Sequence, residues 1–222
     1  SKDLPRPAQT TFHDIWKTNL GKTSKPEGAR MEGGIKSTES IHVESIPQPD
    51  QENLIRKFAE ELIALGGTFT ACSESELPHL VYDALQSQGF SSLLAWEDDQ
   101  LPRGLAENLR DRGIRISSEL DDGVIAGLSG ATGAIAASGT LILPSGKGKP
   151  QFVSLLPEVH FAILRARDIY ANLAQVMKNV NLQDPAVVSL ISGPSRTADI
   201  EMTLTIGVHG PRQVNVFCLV GD

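Results

Sequence analysis

The chain has 222 residues, enough for one substantial domain with a tail, and 40% are hydrophobic, as in ordinary soluble globular proteins. A net charge of −7, from 27 acidic and 20 basic side chains, argues against non-specific binding to nucleic acid or acidic membranes, and 5% aromatic content leaves few stacking platforms for bases. No apolar run approaches the ~20 residues of a membrane span, and two cysteines are too few for a disulfide framework or a self-contained four-cysteine cluster.

Residues 1–48 are rich in Pro, Gly, Lys, Ser and Glu and read as a flexible N-terminal arm. Its start, Ser1-Lys-Asp-Leu-Pro, lacks an apolar signal core, so the expected compartment is the cytoplasm. Thr11 to Leu20 carries a short apolar pattern around Trp16, readable as a docking peptide or as nothing structural. Residues 49–222 read as a single α/β domain. Leu54, Ile55, Phe58, Ala59, Leu62 and Ile63 recur at helical spacing, and Gly66-Gly67 supplies the stop. Thr68–Cys72 is a short strand. A helix follows, with Pro78 in its first turn and Leu77, Leu80, Val81, Ala84 and Leu85 as its stripe. Ser92–Trp96 is a strand, Leu105 and Leu109 mark a short helix, and Ile114–Ile116 is a third strand. This alternation implies parallel pairing, with helices on the sheet faces.

After Asp122 the pattern changes. Val124–Leu128, Ala134–Ala136, Thr140–Leu143, Val153–Leu156 and Phe161–Leu164 are short apolar runs separated by turn residues, and they read as a hairpin-rich insertion. The spacing then predicts a helix over Asp168–Val180 and strands over Val187–Ile191 and Val214–Val220.

The chemistry-bearing stretch is Ile191-Ser-Gly-Pro-Ser-Arg-Thr-Ala-Asp-Ile-Glu201, followed by Gly207-Val-His-Gly-Pro211. An apolar run stops at a tight turn, and Ser195, Arg196, Thr197, Asp199 and Glu201 crowd together behind it. A hydrophobic core has no use for that density of short polar groups and one fixed cation. The expected arrangement is a strand feeding a helix start, near a strand's carboxyl end, where free amides favour anions and Arg196 can grip a carboxylate or phosphate. The alternative is structural: Ser195 or Thr197 caps the helix, and Arg196 pairs with Asp199 or Glu201. Ser192 and Gly193 belong to the turn itself. Ser138, Gly139 and Thr140 offer hydroxyls and a close backbone approach. His209, between glycines, is the first choice for acid–base work, with His160 behind it. A Ser195–His209–Asp199 triad is conceivable from composition alone. Lys147 and Lys149 read as a solvated hairpin tip or as a greeting for an anion. Dinucleotide, P-loop, zincin and hydrolase-elbow motifs are absent from the sequence, and no metal site is expected.

These motifs, together with Gly139-Thr-Leu-Ile-Leu143 and Ser154-Leu-Leu-Pro-Glu-Val-His160, resemble the lactate-utilization protein C family and its LUD domain, from about Asp121 to Leu219. The resemblance implies a three-layer α/β sandwich, of the kind shared by ribose-phosphate isomerase, CoA transferases and 5-formyltetrahydrofolate cyclo-ligase. It implies a subunit of a cytoplasmic system oxidising L-lactate to pyruvate, alongside partner proteins that carry the iron–sulfur clusters. No cofactor is expected in this chain. The family usually carries Glu where this chain has Ala137 and Thr where it has Ser138, and alanine can act neither as nucleophile nor as base. Three readings stay open: a catalytic subunit in which Arg196 holds the carboxylate and His209 takes the hydroxyl proton, a non-catalytic assembly module, and, more distantly, a sugar-phosphate or acyl-transfer enzyme.

Overall fold

Helix α1 (Gln51–Ala64) forms because its apolar residues fall on one stripe, and Ile55, Phe58, Ala59 and Leu62 on that stripe are buried. It stops at Gly66, whose φ of +91° suits a residue without a Cβ. In this computed structural model the described residues are 50–120, 123–182, 184–198, 204–206 and 210–221. The expectations for the arm at 1–48, for Asp199 and Glu201, and for His209 lie outside them.

Strand β1 (Thr68–Cys72) follows α1. Helix α2 (Leu77–Ser87), with Pro78 in its first turn, leads to β2 (Ser92–Ala95), and helix α3 (Leu105–Asp111) to β3 (Arg115–Ser117). Strands β4 (Ala126–Gly130), β7 (Val159–Arg165) and β12 (Gln213–Leu219) complete a six-stranded sheet in the order β1-β12-β7-β4-β2-β3. Every neighbouring pair in it is parallel. A parallel sheet needs both faces covered. One face turns Phe161, Ile163, Phe217 and Leu219 into a core shared with Leu77, Val81 and Leu85 of α2 and Leu105 and Leu109 of α3. The opposite face carries Phe69, whose ring meets Phe58 of α1 edge-on at 6.0 Å between centroids. The sandwich is therefore α2 and α3, then the parallel sheet, then a third layer that includes α1.

A second, four-stranded sheet has the order β8-β5-β6-β9. Its strands are β5 (Gly133–Ile135), β6 (Thr140–Ser145), β8 (Ile169–Tyr170) and β9 (Val187–Ile191). Strands β5 and β6 form the one hairpin among the runs between 124 and 164. Two runs read as part of a hairpin-rich segment, β4 and β7, are instead central parallel strands. Val153–Leu156, expected as another extended run, is a helical turn, α4 (Phe152–Leu155). Its first bonds run from the Val153 amide to the Pro150 carbonyl at 3.3 Å and from the Ser154 hydroxyl to the Gln151 carbonyl at 3.1 Å.

The helix expected over Asp168–Val180 is shorter. Residues Ala166–Asp168 form a 3₁₀ turn, Ile169 pairs in parallel with Ala134, and helix α5 covers only Leu173–Asn179. The boundary is a reciprocal cap. The Asn172 side chain accepts from the Gln175 amide at 3.0 Å, and the Ala171 amide donates to the Gln175 side-chain oxygen at 2.9 Å. The helix expected after Ser195 is also replaced. Arg196–Ala198 is strand β10, paired antiparallel with β11 (Leu204–Ile206).

Gly127 shows how closely α4 is pressed on β4. A Cβ built there would lie 2.0 Å from the Val153 carbonyl oxygen of α4. Gly127→Ala should therefore lower stability in urea melts by about 3 kcal/mol or more, at the upper end of overpacking costs. Gly146→Ala, where a Cβ meets open space, should stay within about 0.5 kcal/mol of the parent. Similar effects of the two substitutions would show that α4 is not seated on β4.

Candidate functional site

Two turns meet the end of α1. The first is the 3₁₀ turn Ala136–Ser138 with Gly139, and the second is Ser192-Gly193-Pro194 after β9. Gly139 has φ +58°, and a Cβ there would sit 2.6 Å from the Leu62 amide nitrogen. Gly193 has φ +76°, and its Cβ would sit 2.8 Å from the Leu65 Cβ. Both glycines are required by conformation and by contact with α1. Packed this way, the turns bring three predicted hydroxyls together. Thr140 Oγ1 lies 2.7 Å from Ser138 Oγ and 2.8 Å from Ser192 Oγ. Thr140 is buried, and the two serines at the ends of the chain are exposed. Such a row can point a hydroxyl proton outward at either end, so it can meet a carboxylate oxygen or a substrate hydroxyl.

Arg196 joins the same corner from β10. Its Nη2 donates to the Leu65 carbonyl at the end of α1. This is not the helix-start geometry expected from sequence; the pairing with Asp199 or Glu201 lies outside the described residues. The helix end beside Arg196 is a carboxyl end, whose unsatisfied carbonyls attract cations. The argument from free helix amides therefore fails here, and the cation has a structural reason to be present. Ser195 sits apart from the hydroxyl row. Its amide donates to the Pro211 carbonyl at 2.8 Å, and its Cβ lies 3.2 Å from where a Cβ on Gly210 would be. Thr197 pairs with Thr205 in the β10–β11 register.

The position of this corner differs from expectation as well. Strand β9 belongs to the second sheet, not the parallel one. Leu65 precedes β1 and Pro211 precedes β12, so the cluster lies at the amino edge of the parallel sheet. Ligands in open α/β sheets usually gather at the carboxyl edge.

Comparison with known proteins agrees with the motifs. The LUD domain matches residues 55–219. The chain belongs to the LUD-domain family. The lactate utilization protein C of Oceanobacillus iheyensis is 30% identical over 224 residues, covering 92% of this chain and 94% of that protein. The protein of the same name from Shouchella clausii is 27% identical, covering 90% and 93%. A solved structure of a DUF162 family protein from Deinococcus radiodurans superposes with a TM-score of 0.56 at 22% identity, covering 77% of this chain and 98% of that one, and so shows the fold.

Two further features of this LUD domain bear on its chemistry. Cys72 and Cys218 are both buried on adjacent strands, and burial pushes the Cys72 thiol up to about 12 and raises Cys218 as well. They are small core residues, not reactive thiols. His160 is fully buried in β7, with Nε2 2.8 Å from the Ser129 hydroxyl of β4 and no partner for Nδ1. Sequence reasoning missed this pair, although a lone Ser in the apolar run of β4 was a signal. Burial lowers the imidazole from 6.5 to about 4. His160 therefore stays neutral and out of substrate reach, which removes it as an acid–base candidate near neutrality.

The same shift makes His160 an acid-sensitive element. Below pH 6.5 the unfolded chain takes up a proton here, and the folded chain does so only near pH 4. His160 imposes no penalty above pH 6.5, and it costs stability as pH falls through that window, on the order of 3 kcal/mol at the bottom. Between about pH 7 and pH 4.5, His160→Gln should lose less stability in urea melts than the parent. Equal losses would assign acid sensitivity to other groups.

Proposed function

We propose that this chain is a cytoplasmic subunit of a system that oxidises L-lactate to pyruvate beside iron–sulfur partner proteins. The observation that carries this is near end-to-end similarity. The 30% identical relative, aligned over 92% of this chain, bears the name lactate utilization protein C. The oxidation removes a hydride equivalent and a proton from the lactate carbinol, so the electrons need an acceptor. Iron–sulfur clusters are held by cysteine thiolates, commonly about four, and this chain has two cysteines in all. The clusters are accordingly assigned to partners. Among the described residues no helix is long and apolar enough to cross a membrane.

Within this role, the Ser138–Thr140–Ser192 row and Arg196 are proposed to receive a small carboxylate. The hydroxyls offer neutral donors. The guanidinium keeps N–H groups beyond the one given to Leu65. Ala137 supplies no carboxylate, so the proton of the lactate hydroxyl is assigned to His209. A second reading, an assembly subunit without chemistry of its own, is favoured by one observation: Arg196 of β10 and Gly139 of the β5–β6 turn both meet the end of α1, in structural contacts.

A host lacking this chain should fail to grow on L-lactate yet grow on pyruvate, and the wild-type chain should restore growth. Arg196→Ala that still co-purifies with its partners should lower lactate oxidation roughly tenfold or more, as expected for losing a charge-assisted contact, and Arg196→Lys should recover part of it. Full oxidation by the assembled Arg196→Ala protein would favour the assembly reading. Undiminished growth on L-lactate without the chain would contradict both.

A further inference from the structure

The carboxyl edge of the parallel sheet carries a cleft that the sequence motifs do not touch. In the strand order, β2 lies between β3 and β4. The chain leaves β2 toward β3 on one side and leaves β4 toward β7 on the other. The connections therefore diverge between neighbouring strands β2 and β4, the kind of switch point where open α/β sheets place ligands. Beside that point, at the ends of β2 and β3, a cleft of about 260 Å³ opens, lined by Trp96, Glu97, Asp98, Arg110, Ile116 and Ser118. Trp96 is fixed on the β4 side: a Cβ on Gly130 would lie 3.2 Å from its ring. The Gly146–Lys149 turn, read from sequence as a solvated tip, packs onto the same place. The Glu97 amide donates to the Gly148 carbonyl at 2.9 Å, and Lys149 Nζ stands 5.6 Å from the Trp96 ring centroid.

The polar groups of the cleft have unequal histories of pairing. Asp98 takes two guanidinium N–H groups of Arg110, at 2.5 and 2.9 Å, which leaves Arg110 with donors to spare. Ser118 adds a hydroxyl. The Glu97 carboxylate has no hydrogen-bond or ion-pair partner among the described residues. A matching ligand must offer acceptors to Arg110 and Ser118, a donor to Glu97 and a short apolar body against Trp96 and Ile116. A carboxylate with no donor would face Glu97 and Asp98 unrelieved. We propose that this cleft is a second small-molecule site, for a short carboxylic acid bearing a hydroxyl or ammonium group on the carbon next to its carboxylate. It goes beyond the lactate reading, because it stands on the cleft's own residues and on the opposite edge of the sheet from Arg196.

The test uses the full chain carrying Trp16→Phe, which leaves Trp96 as its single indole. L-Lactate, L-alanine and propionate share a carbon skeleton and differ in the donor. Trp96 fluorescence should change saturably through the millimolar range with lactate or alanine, and propionate should bind roughly tenfold or more weakly. Whichever of the first two binds tighter names the donor that Glu97 accepts. Glu97→Gln, which keeps shape and removes charge, should erase most of the preference over propionate. Arg196→Ala should leave this titration in place, whatever it does to lactate oxidation. No saturable response to any of the acids, propionate binding as well as the others, or an unchanged preference in Glu97→Gln would each overturn the proposal. A Trp96 response that disappears in Arg196→Ala would move the ligand to the hydroxyl row and overturn it too.

Discussion

A parallel sheet cannot leave a face in water, and that demand organises this LUD domain. One face is covered conventionally by α2 and α3. The other is covered by α1 with a second sheet brought against it. Fully buried side chains such as Phe58 and Leu62 in α1 and Phe161 in β7 contribute on the order of 1.5–3 kcal/mol each by leaving water. That gain requires the turns of the second sheet to approach α1 closely. Gly139 and Gly193 stand where Leu62 and Leu65 would collide with any Cβ. The hydroxyl row exists because those two turns share one helix end.

The arrangement also gives the two edges of the parallel sheet different electrostatics. At the amino edge, α1 ends in carbonyls and carries the negative end of its dipole. Arg196 answers that field through Leu65. A ligand anion there competes with a helix end for the same cation, so binding at this corner and the integrity of the last turn of α1 are linked. At the carboxyl edge, Asp98 of the acidic stretch Glu97-Asp98-Asp99 pairs with Arg110, and Lys149 stands over the Trp96 ring. The cysteines and His160 lie between the edges as neutral core residues. Titratable chemistry is thereby pushed outward.

Much of the fold was legible where a single period ran uninterrupted. The stripe from Leu54 to Ile63 was readable because burial on one face of a helix leaves a regular trace, and the strands Thr68–Cys72 and Val187–Ile191 were readable as short apolar runs bounded by turn residues. Asp168–Val180 misled because Ile169 fits a helical stripe while its actual neighbour, Ala134, is distant in sequence. The local signal that corrects it is Asn172 followed by Gln175, a cap inside the supposed helix. Val153–Leu156 misled because a four-residue apolar run has no period to test. For the site, the gathering of Ser138, Thr140 and Ser192 followed from motif content. The partner of Arg196 did not, since a backbone carbonyl at Leu65 leaves no mark on side-chain pattern. The Trp96 cleft was hidden because its lining comes from three separate stretches, Trp96–Asp98, Arg110 and Ile116–Ser118, that only the fold brings together.

The central claim is that Arg196 ties β10 to the last turn of α1 and so couples the hydroxyl row to the scaffold. Hydrogen exchange of the full chain and of Arg196→Ala, followed amide by amide at neutral pH, addresses it directly. The amides of Leu65, Gly66 and Gly67, which donate to carbonyls in the last turn of α1, should exchange faster in Arg196→Ala, together with that of Thr140. The α2 and α3 amides should keep their protection. Unchanged protection at Leu65–Gly67 in a folded Arg196→Ala protein would contradict the account and return Arg196 to a purely ligand-binding role.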